Sequence, residues 1–317
     1  MSFSSDDLPE SPTQTPKPED AVSVWGRAPS PVQAERSSAE AGGQSDSGFA
    51  LAASDGQPVE LTPVDSVWND SPWNDPAWNG WDVLRLVVLS IVALFAGVFA
   101  VLFIAHWWMY PHTRLGEIAR FPLVAVAGQA LAYLLILAYM YVLVTRERRR
   151  PDFLAAIHWN WPSNIAIYVV SGVALSLGLQ GLAHFLPIPK ELPIDNFFRT
   201  PAEAWALSIL SVTLAPLMEE LFFRAFLYPV LARRLGLPIA VFLTASGFAL
   251  LHGAQLGFAW GPVLVIFLVG IVLTMVRAKK NSVAAGVLIH MAYNGTITAL
   301  MFAATGGFRH LEKLSSQ

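Results

Sequence analysis

Between residues 83 and 304 the chain is a succession of apolar runs long enough to cross a lipid bilayer, and nothing else constrains its fold as strongly. A hydrocarbon core ~30 Å thick takes ~20 residues of helix to span. Inside it every backbone N–H and C=O must find a partner within the protein. The runs cover residues 83–105, 121–144, 164–186, 202–231, 238–254, 261–276 and 283–304. They predict an all-α polytopic membrane protein of about seven to eight transmembrane helices. The eighth depends on the long fourth run, where Pro216 removes one backbone hydrogen bond and could divide it. Composition agrees: 54% of residues are hydrophobic and 14% charged, against about 25% charged in an average soluble domain.

Basic clusters orient these runs. The segment "RERRR" at 146–150, Arg233 with Arg234, and Arg277 with Lys279 and Lys280 all follow even-numbered runs. Short cytoplasmic loops carry the excess of Lys and Arg, so these ends and the amino-terminal tail are expected on the cytoplasmic side. The carboxyl terminus then lies outside with seven spans and inside with eight. The membrane would be the plasma (inner) membrane in a bacterium.

Residues 1–80 differ sharply from the rest. They carry 13 acidic and 3 basic side chains, against 10 and 17 in residues 81–317. Rich in Ser, Pro, Asp, Glu, Ala and Gln and without a sustained period, they cannot bury enough apolar surface to offset their conformational entropy. A disordered tail is expected, with no signal peptide, since Met1 is followed by "SFSSDDLPE". It closes on "VWNDSPWNDPAWNGW", whose Trp68, Trp73, Trp78 and Trp81 read as an aromatic anchor at the lipid headgroups. A docking motif for a partner is the other reading. The absence of cysteine excludes disulfides, thiolate metal sites and a cysteine nucleophile. The partners expected are the bilayer and a peptide or membrane-anchored protein, not nucleic acid. The oligomeric state is left open.

Ionisable groups at bilayer depth cost at least ~2.5–3.5 kcal/mol each on the insertion scale and usually face a protein interior or a water-filled cavity. The last four runs hold Glu219, Glu220, Arg224, His252 and His290, with the polar Asn294. Glu220 and Arg224, four apart on one helix face, can pair and so lower the cost of burying both. Glu219 points ~100° away, held but not neutralised. His290 and Asn294 share a face by the same spacing. Glu219 lies fourteen residues before Arg233, His252 fourteen after Pro238 and Asn294 fourteen after Lys280. At ~1.5 Å per residue all three fall ~21 Å from the cytoplasmic ends of their helices, so they can meet. The other histidines, His106, His112, His158, His184 and His310, fall at span ends or in loops, where ordinary interfacial or hydrogen-bonded roles are expected.

In order and type, "EELFFR" at 219–224, "FALLH" at 248–252 and "HMAYN" at 290–294 resemble the EExxxR, FxxxH and HxxxN motifs of the CAAX protease and bacteriocin-processing (CPBP, or Abi) family of intramembrane glutamic endopeptidases. The resemblance covers residues 216–295. It implies a division into a tail (1–80), accessory transmembrane helices (81–200), a catalytic transmembrane core (201–305) and a short carboxyl tail (306–317). It also implies roles: Glu219 as general base, His252 as its water-orienting partner, and His290 with Asn294 at the oxyanion. Glu220 and Arg224 would organise the site and Phe248 would line it. Substrates in the family include prenylated proteins, bacteriocins and membrane-anchored regulators, and the sequence does not choose among them.

Amide hydrolysis needs an activated water, a donor to the developing oxyanion and a proton for the leaving amine, and these residues can supply all three. No cofactor is expected. Zinc is the alternative, with Glu219, His252 and His290 as ligands, but HExxH is absent and Asn294 has a clearer task at an oxyanion. Three other readings stay open. A polar network can cement helices in a bilayer, an ion- or proton-coupled transporter uses similar Glu and His clusters, and a non-enzymatic scaffold can keep the motifs.

Overall fold

The computed structural model describes residues 76–314. The reading of the tail, with Trp68 and Trp73, lies outside the described residues up to residue 75. The described chain is helical, with no strand. Helices α1 (Gly80–Ile104) and α2 (Pro122–Val142) each run on through a π-helical turn, Ala105–Met109 and Leu143–Glu147. Helix α3 spans Ile165–Ala183. The long fourth run comprises α4 (Pro201–Val212), α5 (Leu214–Glu220), a π-helical segment (Leu221–Leu227) and α6 (Tyr228–Leu235). Helices α7 (Leu237–Leu251), α8 (Trp260–Lys280) and α9 (Val283–Ala304) complete the bundle. Among the described residues six helical stretches are long and apolar enough to cross a membrane, and α7 is a shorter apolar helix.

The fourth stretch, Pro201–Leu235, has 35 residues. At ~1.5 Å per residue its contour exceeds a ~30 Å hydrocarbon core. Its break falls at Thr213 (φ −116°, ψ −83°), three residues before the proline. The cause is still Pro216, whose ring clashes with the carbonyl four residues back, that of Val212. Beyond the break the chain resumes as helix.

Close approaches at glycine tie the bundle together. α1 packs along α2 where a Cβ on Gly97 would come within 2.4 Å of the Gly128 carbonyl oxygen. α3 packs along α9 where a Cβ on Gly172 would come as close to the Ile289 carbonyl oxygen. Small residues at such crossings let helix backbones approach in the absence of a hydrophobic force between spans. The π-helical segment contacts α1, α7, α8 and α9. Outward faces carry Phe95, Phe99, Phe103, Leu134 and Val170, an apolar surface suited to lipid.

One sequence reading changes here. Trp78 is not a headgroup anchor: it is buried (2% exposed) and stacks on Phe226, with ring centres 4.5 Å apart, whereas Trp81 is exposed. Arg277, one of the third basic cluster, is buried at the end of α8 and bonds Asn281 at 2.6 Å. A second charged group holds the start of α1 to the end of α2. Asn79 and Asp82 form a capping box, Arg148 pairs with the buried Asp82, and Arg85 bridges to Glu147 at 2.8 Å.

Candidate active site

Four elements carry the residues singled out in the sequence. Glu219 and Glu220 end α5, Arg224 lies in the π-helical segment, His252 caps α7 and His290 and Asn294 lie on α9. Glu220 and Arg224 pair at 2.9 Å, and neither side chain is exposed. The Arg224 guanidinium also donates to the Gly270 carbonyl on α8 at 3.2 Å, an oxygen shared with the Thr274 hydroxyl. Its face lies 4.6 Å from the centre of the Phe248 ring. One buried cation is thus held by a carboxylate, a carbonyl and an aromatic ring, which offsets the cost of dehydrating it.

Glu219 points the other way, as helix geometry requires of its neighbour. Its two oxygens face two imidazoles, with His252 Nε2 3.8 Å from Oε1 and His290 Nε2 3.6 Å from Oε2. These distances exceed a hydrogen bond. The side chains of Glu219 and His252 keep 13% and 19% of their surface exposed, while Glu220 keeps none. One carboxylate of the adjacent pair is therefore sealed and paired, and the other is open to a small molecule.

Backbone and side-chain acceptors orient both rings. His252 Nδ1 lies 2.9 Å from the Phe248 carbonyl. A carbonyl can only accept, so the Nδ1 hydrogen points to it and Nε2 is directed at Glu219. Phe248, one turn earlier, is 1% exposed and touches the rings of His252 and His290. His290 Nδ1 lies 3.0 Å from Glu220 Oε1, so Glu220 holds both Arg224 and His290. This shared carboxylate links the first and third motifs, and the Phe248 ring, against Arg224 and His290, brings in the second.

Asn294 has a partner that the sequence did not foretell. Its amide donates to the Ser211 carbonyl at 2.7 Å, on the turn of α4 just before the break at Thr213. That bond ties α9 to the broken helix and engages one of the two amide hydrogens. Sequence reasoning also missed Gly286, one turn before His290 on the same face. A Cβ there would come within 2.6 Å of Glu220 Oε2, so glycine makes room for the buried carboxylate. Among the described residues no group of three or more His, Cys, Asp or Glu side chains is arranged to hold a metal ion.

Histidines outside the site keep to ordinary contacts. His106 meets the Thr113 carbonyl and His310 meets Glu312. His158, in the loop before α3, meets the Asn281 amide, and burial together with nearby Arg277 lowers its pKa to about 4.

An all-helical, membrane-spanning protein with a half-open carboxylate facing two oriented imidazoles defines a class of polytopic membrane protein equipped for acid–base work. Residues 201–296, just under a third of the chain, match the family model described as Rce1-like, type II CAAX prenyl endopeptidase Rce1-like. The resemblance to the CAAX protease family is borne out, and the match supports intramembrane protease activity. No curated protein and no solved structure matches the chain.

Proposed function

We propose that this chain is a glutamic-type intramembrane endopeptidase in which Glu219 activates water against a peptide bond of a membrane-associated substrate. The observation that carries the reading is the facing of Glu219 by His252 Nε2 and His290 Nε2 at 3.8 and 3.6 Å. A water ~2.8 Å from both Glu219 and His252 satisfies hydrogen-bond geometry and donates one hydrogen to each. As its oxygen adds to the scissile carbonyl, Glu219 takes the proton. The negative charge that develops on the carbonyl oxygen is met by His290, donating from Nε2, and by the second amide hydrogen of Asn294. Glu219 then returns the proton to the leaving amine, and the peptide bond breaks.

The remaining groups hold these in place. Glu220 accepts from His290 Nδ1 and from Arg224, fixing the ring, and Phe248 packs against both imidazoles. No metal ion takes part in this scheme. Residues 1–80 serve as an acidic cytoplasmic tail, 81–200 as accessory helices and 201–305 as the catalytic core.

The family description names CAAX prenyl endopeptidases, so the substrate class to try first is a peptide with a prenylated cysteine before its last three residues. The test uses the purified chain in nanodiscs with a quenched fluorescent peptide of that kind. Cleavage by the native chain and none by Glu219→Ala is expected. Flux of an ion or solute that depends on Glu219, with no peptide cleaved, would instead make the chain a transporter.

A further inference from the structure

The π-helical segment Leu221–Leu227 joins the Glu219 and Glu220 turn to Arg224, and the main-chain bonding there is incomplete for a reason written in the sequence. A π-helix pairs each carbonyl with the N–H five residues on. Tyr228 N–H follows that rule, bonding back to the Phe223 carbonyl. The next carbonyl, that of Arg224, would need the N–H of residue 229, which is proline and has none. An open carbonyl buried in a bundle is costly unless another donor reaches it.

Side chains from two distant segments reach this stretch. Arg277 Nε on α8 donates to the Arg224 carbonyl at 3.2 Å, across 53 residues. Trp78 Nε1, at the threshold of α1, donates to the Phe226 carbonyl at 3.0 Å, across 148 residues, while its ring stacks on Phe226. Both donors are buried at 2% exposure. Neither contacts Glu219, His252 or His290 through any of these bonds. If the segment relaxed to an α-helix, Glu220 and Arg224 could still pair, but the turn that carries them would rotate and draw the Arg224 guanidinium off the Gly270 carbonyl and the Phe248 ring, shifting the pair that holds His290.

We propose that Trp78 and Arg277 are positioning residues, which clamp the π-helical segment and thereby set Glu220, Arg224 and His290 behind the catalytic Glu219. The inference rests on the endopeptidase reading for its kinetic arm only. Trp78 lies outside residues 201–296, so the catalytic core is completed by a residue from the juxtamembrane end of the tail.

The experiment uses the full chain in nanodiscs, with Trp78→Phe, which keeps an aromatic ring and removes the N–H, Arg277→Lys, the double variant, and Trp81→Phe as an exposed control. Two quantities are read: kcat and KM on a peptide with a farnesylated cysteine before its last three residues, and amide hydrogen exchange of residues 221–228. Each clamp variant is expected to lower kcat about 10- to 100-fold with KM unchanged and to speed exchange in that segment. The double variant should lose less than the product of the two, because both act through one segment. Trp81→Phe should match the native chain in both readouts. A native kcat per folded molecule in Trp78→Phe would overturn the proposal, as would lower yield with unaltered kcat, the mark of a merely structural role. If the native chain cleaves nothing, the endopeptidase reading fails, and exchange decides the clamp: unchanged protection at 221–228 in both variants overturns it.

Discussion

His290 Nδ1 lies 3.0 Å from Glu220 Oε1 while its Nε2 faces the adjacent Glu219 at 3.6 Å, so one ring separates a sealed carboxylate from an open one. The two glutamates should therefore fail differently. Glu219→Gln is expected to lower kcat about 100- to 10,000-fold, the range for loss of a general base, with native thermal unfolding in detergent. Glu220→Gln leaves Arg224 buried without a carboxylate and should also cost roughly 3–5 kcal/mol of stability. Paired kinetic and unfolding measurements separate these. Equal destabilisation by both would remove the distinction.

Gly286 offers a test of how tightly the sealed carboxylate is packed. A methyl group there meets Glu220 Oε2 at 2.6 Å, and that side chain is already held by Arg224 and His290. Gly286→Ala is expected to cost about 1–3 kcal/mol by overpacking and to reduce turnover by displacing His290. Native stability and kcat in this variant would show that Glu220 can retreat at no cost.

His158 provides a pH signature outside the Glu219 cluster. Its pKa falls from an ordinary 6.5 to about 4, chiefly through burial and then through Arg277. The folded chain therefore binds fewer protons than the unfolded one between those values, and stability rises with pH across the window. The contribution is fully present above pH 6.5 and is lost as pH falls towards 4. Unfolding temperature measured from pH 4 to pH 7 should slope less steeply in His158→Asn than in the native chain. An identical slope would contradict the assignment.

Metal removal addresses the zinc alternative for Glu219, His252 and His290. Activity is expected to survive dialysis against a strong chelator in metal-free buffer, checked by elemental analysis of the same sample. Loss on stripping, with recovery on adding zinc, would replace the water activation drawn above with metal-assisted hydrolysis.

Much of the site was legible because it follows from local helical spacing. The four-residue step from Glu220 to Arg224 became a contact, and of the three residues set at one depth Glu219 and His252 face each other, while Asn294 bonds the Ser211 carbonyl. What escaped depends on partners far along the chain. Trp78 reads as an interfacial anchor until Phe226 is seen beneath it, and Arg277 reads only as one of a basic cluster until the open Arg224 carbonyl is found. Pro229 was the available signal for that carbonyl, and Pro216 for the break, although each proline acts on a carbonyl well before it, Arg224 five residues back and Val212 four. Asn294 reads as an oxyanion donor from its motif, while its bond to Ser211 follows from the break in α4, which no local pattern on α9 reveals.

In the proposed reaction Glu219 drives addition of water to a peptide bond. The direct measurement is mass spectrometry of products formed from the farnesylated peptide in water enriched in oxygen-18, with the native chain and Glu219→Gln side by side. One heavy oxygen is expected in the new carboxylate released by the native chain, and no product above background from the variant. Equal product from both, or none from the native chain, would contradict it.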